Sequence, residues 1–437
     1  MDNSLFKDFK PVSEKEWKQK IQVDLRGKDY NASMITPTDE GIDIKPFYHR
    51  ESNVDLNIPS PKKWFITEKI EDAEIQNIDH LKSKGTEAFW LKYDKNKDIS
   101  QLLNSTGVPI IVESDSYTEA GVEQNSNLHF VFDPINNLAK TGNWVKNQSE
   151  DMQAHKSYVD KTNTLSIDAR LYHNSGGNIT QQLAYTISQL NTYLNNSKTQ
   201  KGKTLKILIF SAIGPNYFFE IAKLKALRLL VNSICKASNI EYDLKLISEP
   251  GYHHMSIYDY NVNMLRSTSE CMSAILGGSD FIRNTYYDEI FKTKNEFSQR
   301  ISRNQLLILK HESYFKIVEN IADGTYYINY LTKALAEKSL NIFKDIEKSG
   351  GFIQQLFDGK IQLKIDQQFK SSLEKFESKE LKLVGVNQYE NEEDKMKAEI
   401  EKDTFLSQKA RKTLIKPILR RRIAEKLEQK RLSEETA

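Results

Sequence analysis

The chain has 437 residues, of which 38% are hydrophobic and 28% charged, with a formal net charge of +2. That length exceeds one small domain and suits one large barrel with extensions, and the near-neutral balance gives no general pull toward nucleic acid or an anionic membrane. Two cysteines, Cys235 and Cys271, exclude a disulfide framework and a four-thiolate metal site within the chain and fit a reducing cytoplasm.

The opening, Met1 to Phe9, lacks a basic stretch followed by an apolar one, so no secretory leader is expected. No apolar run approaches the ~20 residues of a membrane helix. Residues 1–55 read as an extension. Ser13-Glu-Lys-Glu16 is a capping box that opens a short helix with Trp17 and Ile21 on one face. So small a piece cannot bury its own apolar groups, and Phe6, Phe9, Trp17, Phe47 and Tyr48 are expected to pack on the main body or on another chain.

Residues 56–365 alternate short apolar runs with helical patterns. The strand-like runs are Ala88 to Tyr93, Pro109 to Val112, Leu128 to Phe132, Thr164 to Ile167, Lys206 to Phe210 and Tyr242 to Ile247. Strands separated by helix-length segments imply right-handed crossovers and a parallel sheet. About eight such units predict an α/β fold of the (β/α)8 TIM-barrel type. An open doubly wound sheet is the alternative, weakened because no phosphate-binding glycine fingerprint follows a strand. Ile179, Leu183, Ile187, Leu190 and Leu194 recur at helical spacing after the Gly176-Gly177 turn. The run Ser166 to Asn174 reads as a buried strand, which would put Leu171 and His173 on one face and Arg170 and Tyr172 on the other. Residues 366–437 alternate acidic and basic clusters and read as a charged linker with a helical tail.

Several stretches carry a family resemblance. Ser166 to Asn178 resembles the S-I-S-G-Y-H-M-Q-E-A-G-A segment of the methylmalonyl-CoA mutase family. Asn216-Tyr-Phe-Phe-Glu-Ile-Ala-Lys-Leu-Lys-Ala-Leu-Arg-Leu-Leu230 is similar to its N-F-F-M-E-I-A-K-L-R-A-A-R-L-L, and Leu383-Val-Gly-Val-Asn-Gln-Tyr389 to its I-V-G-V-N-x-Y. Ser302 to Ser313, Gly324 to Thr332 and Ile346 to Gly351 follow further family motifs, and Trp17 to Gly27 with Gly41 to Pro46 resembles the start of the family's small subunits. The order and spacing of these motifs are more specific than any one of them.

The resemblance implies a mutase barrel and a radical interconversion of succinyl-CoA and methylmalonyl-CoA on adenosylcobalamin. It also implies that this chain has lost the chemistry. Leu171 falls where the family keeps its substrate histidine, Lys69 where it keeps a tyrosine beside the radical, and Arg283 where it has a histidine. None of the eight histidines follows an aspartate by two residues, as the cobalt-ligating D-x-H-x-x-G motif requires, and no cobalamin-binding domain is expected. The expectation is therefore a small, non-catalytic subunit that binds no cofactor and no metal itself. Its partner would be a large subunit carrying adenosylcobalamin, with no nucleic acid or membrane among its partners. A vestigial acyl-CoA pocket would use Arg170 and His173, with Arg170 paired to Asp168 or to a carboxylate on a neighbouring strand. The alternative is a stand-alone acyl-CoA-binding barrel with cofactor-free lyase or hydrolase chemistry, its best acid–base pair being His173 with Asp168 or Glu249.

The remaining candidates read as structural. His253-His254 lacks the three or four converging ligands zinc requires. The stretch from Arg420 to Arg431 interleaves glutamates and lacks stacking aromatics. Cys271 sits on a helix core face with no partner base.

Overall fold

The computed structural model describes residues 8–92, 107–114, 127–197, 203–316, 319–405 and 411–435. Its centre is a ring of eight parallel strands: β1 Phe65–Lys69, β2 Ala88–Lys92, β3 Ile110–Glu113, β4 Leu128–Val131, β5 Thr164–Asp168, β6 Leu205–Ile213, β7 Tyr242–Pro250 and β8 Phe281–Arg283. Each strand pairs with its sequence neighbour, except at β4 and β5. Pairing of β1 with β8, in the register Phe65↔Phe281 to Thr67↔Arg283, bends the sheet round into a nearly closed α/β barrel. That pairing excludes the open doubly wound sheet.

The seam lies between β4 and β5. Side chains bridge it instead of a backbone ladder. Ser166 Oγ accepts from Phe132 N at 2.9 Å and donates to Phe132 O at 3.1 Å. Asp133, just beyond β4, accepts from Asp168 N at 2.8 Å and from Tyr193 OH at 2.6 Å. Burial drives the Asp133 carboxyl up to about 6 despite these donors, so it holds the seam near the edge of its own ionisation.

Strand alternation sorts the apolar residues into two cores. Ile66, Phe89, Ile110, Val112, Ile167, Ile207, Ile209, Leu246 and Ile282 face outward to the helices and form the main cluster. Ala88, Trp90, Ile111, Val131, Leu208, Phe210, Ile247 and Phe281 face the axis and form a second cluster with Phe65 beside it. Trp90 and Phe210 meet at 5.0 Å between ring centroids, and Phe65 stacks on Phe281 at 5.1 Å. The axis is thus filled by aromatic side chains.

Three local expectations need correction. The strand expected to run through residue 174 stops at Asp168, where the β5–β6 register ends at Asp168↔Phe210. Arg170–Asn174 is a helical turn, so alternation does not apply to Leu171 and His173. Asp168 starts the turn by accepting from Arg170 N at 3.2 Å, and Gly176 N and Gly177 N close it on His173 O and Tyr172 O. The charged stretch after residue 366 also packs scattered apolar residues onto the barrel. Its helix Lys360–Glu377 begins before that boundary, Ile415 and Ile418 join the main core, and Phe376, Leu383, Val386, Ile423 and Ala424 form a satellite cluster. Apolar residues scattered among charges escape a composition count but still fill grooves.

In the extension, the Ser13–Glu16 capping box forms as expected. The helix Glu14–Asp24 buries none of its residues. Trp17 stacks on Phe47 at 4.9 Å, and Tyr48 packs on Tyr327 and Tyr330 at 5.0 Å each. Phe9 and Trp17 are 74% and 47% exposed, and Phe6 lies outside the described residues.

Candidate functional site

The C-terminal ends of the strands, where barrels of this class carry their chemistry, hold a closed set of ion pairs. Arg170 donates from Nε to Asp168 Oδ1 at 2.7 Å, from Nη2 to Asp168 Oδ2 at 2.6 Å, from Nη1 to Glu249 Oε1 at 2.9 Å and from Nη2 to Glu113 Oε1 at 3.1 Å. Its guanidinium lies 4.7 Å from the Trp90 ring centre and 5.0 Å from that of Phe210. It therefore caps the aromatic plug on one face and binds three carboxylates at its edges. Trp90 Nε1 donates to Glu113 Oε2 at 3.2 Å, tying plug to cap.

Arg283 extends the set. Its Nη1 donates to Glu249 Oε2 at 2.7 Å and its Nη2 to Glu289, and its guanidinium sits 5.3 Å from the Tyr286 ring centre. Burial opposes both guanidinium charges, and the carboxylates overcome it, raising both well above the ordinary arginine value. Burial would likewise raise Glu249, but Arg170 and Arg283 together hold it down at about 2. Lys69, at the end of β1, has its proton affinity lowered by burial and by Arg283. Arg170 and Arg283 thus meet through one shared carboxylate, with Lys69 beside them. A guanidinium saturated in this way has little left for a substrate.

Leu171 is not at this mouth. It is 5% exposed and belongs to the outer core. His173 is apart as well. Its ring fits a slot between two loops, where a Cβ on Gly214 would come within 2.7 Å of His173 Cε1 and one on Gly251 within 2.3 Å of His173 Nε2. Only glycine at both places leaves room for the imidazole. Burial, with help from Lys223, His253 and His254, pushes His173 well below the ordinary histidine range, so it is neutral. The pair His173 with Asp168 or Glu249 does not converge, since both carboxylates hold Arg170 while His173 faces Gln182 Nε2 at 3.4 Å.

Beside the mouth, His173 lines a cavity of about 470 Å³ formed by the ends of β5, β6 and β7, the 36–44 turn of the extension, and the packed tail. His253 and His254 line it too. They lie in the loop after β7, with His253 Nδ1 donating to Arg421 O at 2.8 Å and His254 paired with Glu270. Burial lowers His253 to about 4. Among the described residues no group of three or more His, Cys, Asp or Glu side chains could hold a metal ion. Cys235 and Cys271 are both buried, and burial raises both thiols, so neither is a nucleophile.

Reasoning from the sequence found Arg170, Asp168, Glu249, Lys69 and Arg283 but not Glu113, Glu289 or Trp90. Those three meet the others only after β1 has closed on β8.

Residues 114–435, more than half of the chain, match the family model described as methylmalonyl-CoA mutase. The chain is 27% identical to the methylmalonyl-CoA mutase small subunit of Porphyromonas gingivalis (strain ATCC BAA-308 / W83) over 89% of this chain and 71% of that one. It is 28% identical to the methylmalonyl-CoA mutase of Rhizobium meliloti (strain 1021) over 76% of this chain and 49% of that one. It is 25% identical to the methylmalonyl-CoA mutase large subunit of the same Porphyromonas strain over 67% of this chain and 43% of that one. The match thus spans most of the small subunit's length but less than half that of the other two relatives.

Proposed function

The chain belongs to the methylmalonyl-CoA mutase family, and from that premise we propose that it is a small, non-catalytic subunit of a heterodimeric, adenosylcobalamin-dependent mutase. In this reading the large subunit binds the cofactor and interconverts succinyl-CoA and methylmalonyl-CoA in the cytoplasm, and this chain supports it structurally. One observation carries the proposal. The barrel axis is filled by Trp90, Phe210, Phe281 and Phe65, and the mouth above it is closed by Arg170 and Arg283 with Asp168, Glu113, Glu249 and Glu289. An acyl-CoA could enter that mouth only by breaking buried ion pairs, each of which costs about 3–5 kcal/mol when one partner is left alone.

The residues present do not fit the cofactor either. The cavity beside the mouth, about 470 Å³, has the size of an ordinary small-molecule site, far short of a nucleotide-tailed corrinoid. No step is therefore routed through cobalamin on this chain. Leu171, Lys69 and Arg283 stand, in this proposal, where a catalytic subunit has its working residues. Glu249 and Asp168 hold arginine instead of facing an open site, which disfavours cofactor-free lyase or hydrolase chemistry.

The large subunit's contact would be the extension. Its exposed Phe9 and Trp17, with Phe47 stacked on Trp17, supply apolar surface that a partner would cover, and Phe6 and Tyr48 are proposed to belong to the same interface. Neither nucleic acid nor membrane is proposed as a partner, and among the described residues no helix is long and apolar enough to cross a membrane.

The test is reconstitution. Large subunit with and without this chain would be followed by size-exclusion chromatography and mutase turnover. A one-to-one complex is expected, with turnover only when the large subunit is present. Turnover of acyl-CoA by this chain alone would overturn the proposal.

A further inference from the structure

The cavity beside the mouth is not used by this proposal, and its chemistry differs from that of the mouth. Thr36 and Ile44 pair as an antiparallel bridge, which presents Glu40 at the tip of a turn. Glu40 accepts from Ile179 N at 2.7 Å and from Thr180 N at 2.9 Å, the first two amides of the helix Ile179–Asn196. Opposite it, Glu220 also lines the cavity, 2% exposed and paired with Lys223. Asp39 pairs with Lys375, and Glu270 with His254. Among the described residues no cation lies within 4 Å of Glu40, which makes it the carboxylate of this group left without a counter-charge.

Two further groups await a partner. His173 and His254, 7% and 5% exposed, both line the cavity, and neither His173 Nε2 nor His254 Nδ1 has a hydrogen-bond partner among the described residues. Apolar side chains, among them Ile179, Val262, Leu383 and Ile423, complete the wall.

We infer that this cavity binds a small organic cation, a primary ammonium on an apolar body, with Glu40 as its counter-charge. The ammonium would sit between Glu40 and Glu220, its three N–H donors meeting carboxylate oxygens, while the carbon chain lies on the apolar wall. An anion of the same shape would meet two carboxylates, one of them buried, and be repelled. Burial raises the Glu40 carboxyl to about 7, with Glu220 adding to the rise and the amides of Thr180 and Ile179 opposing it. Arg266, Lys223, Lys375 and the exposed Lys382 surround the cavity, each already engaged except Lys382 at the rim. A bound ammonium therefore gains as Glu40 ionises. Between pH 6 and pH 8 the ionised fraction of a group titrating near 7 rises about tenfold, and the affinity should follow it.

The test uses the full chain and three matched probes, n-pentylamine, n-pentanol and n-pentanoate, titrated by calorimetry at pH 6, 7 and 8. Pentylamine should bind at least about tenfold more tightly than pentanol, and pentanoate should not bind. Pentylamine affinity should rise about tenfold from pH 6 to pH 8. Glu40→Gln keeps one oxygen to accept from Ile179 N or Thr180 N, and the Thr36–Ile44 bridge and the Asp39–Lys375 pair still hold the turn, yet it should lose the preference for the amine. Val262→Phe narrows the cavity without touching Glu40 and should weaken all binding. Pentanoate binding as well as the amine, or no heat from any probe at millimolar concentration, would overturn the inference. So would an amine affinity unchanged in Glu40→Gln. None of these results bears on whether the chain supports a large subunit.

Discussion

Two regions at the same end of the barrel have reached opposite states. At the mouth, both guanidinium charges are answered: Arg170 by three carboxylates and Arg283 by two, and both rest on aromatic rings. In the cavity beside it, Glu40 lacks a counter-charge and two imidazole nitrogens lack partners. In the proposed reading, the mouth is closed by saturation of its guanidinium groups. Its polar groups remain, but they bind each other, and low dielectric makes those pairs costly to separate. The cavity shows what an uncommitted site looks like, with room for a ligand. A fold can lose one site without losing the capacity for another.

The sharpest way to break the comparison is to unsaturate the mouth. Arg170→Ala would leave Glu113, Asp168 and Glu249 facing each other over an uncovered Trp90, and should destabilise the chain by about 3–5 kcal/mol in urea unfolding. An effect below about 1 kcal/mol would mean that the network is solvated and the mouth is not sealed.

A smaller loss should follow from Gly251→Ala. Its methyl would meet His173 Nε2 at 2.3 Å, and overpacking of this kind costs about 1–3 kcal/mol. The histidine would have to shift into the cavity, so His173 ring resonances in NMR should move more than any from the mouth. Unmoved resonances would show that the slot is looser than its geometry.

Acid titration compares the two regions directly. Glu249 is lowered to about 2 by the arginines, so its stabilising contribution is complete above the ordinary carboxylate range and is lost as pH falls through about 2. Glu40 is raised to about 7, so its contribution has the opposite sign, present at low pH and lost as pH climbs through about 7. Stability measured from pH 8 down to pH 5 should therefore rise by the Glu40 component in the native chain and not in Glu40→Gln. A component that survives the substitution would assign it elsewhere.

The smallest expected effect lies in the extension. Ser13→Ala removes the N-cap of a helix that buries nothing, costing about 1 kcal/mol locally. It should raise amide exchange in residues 14–24 and leave both barrel regions unchanged.

Much of this architecture was legible in the sequence. The strands from β2 to β7 announced themselves as apolar runs, and the helix Ile179–Asn196 by its periodicity. β1 and β8 did not. One ends in three consecutive polar residues, Thr67, Glu68 and Lys69, and the other is three residues long, too short for any period to show. The turn at Arg170–Asn174 was hidden because its local pattern suits a strand, and only the end of β6 pairing terminates it. Arg170 with Asp168 is two residues apart and readable, whereas Glu113, Glu249 and Glu289 come from three other parts of the chain. The cavity was illegible for the same reason. Its walls come from the extension, three strand ends and the tail.

The central claim is that this barrel is closed to the family's cofactor and substrate. Titrating the purified chain alone with adenosylcobalamin, and reading the corrin absorbance bands, tests it most directly. The account predicts spectra that merely sum those of protein and free cofactor, at every ratio. A saturable shift of those bands, strengthened by adding an acyl-CoA, would contradict it.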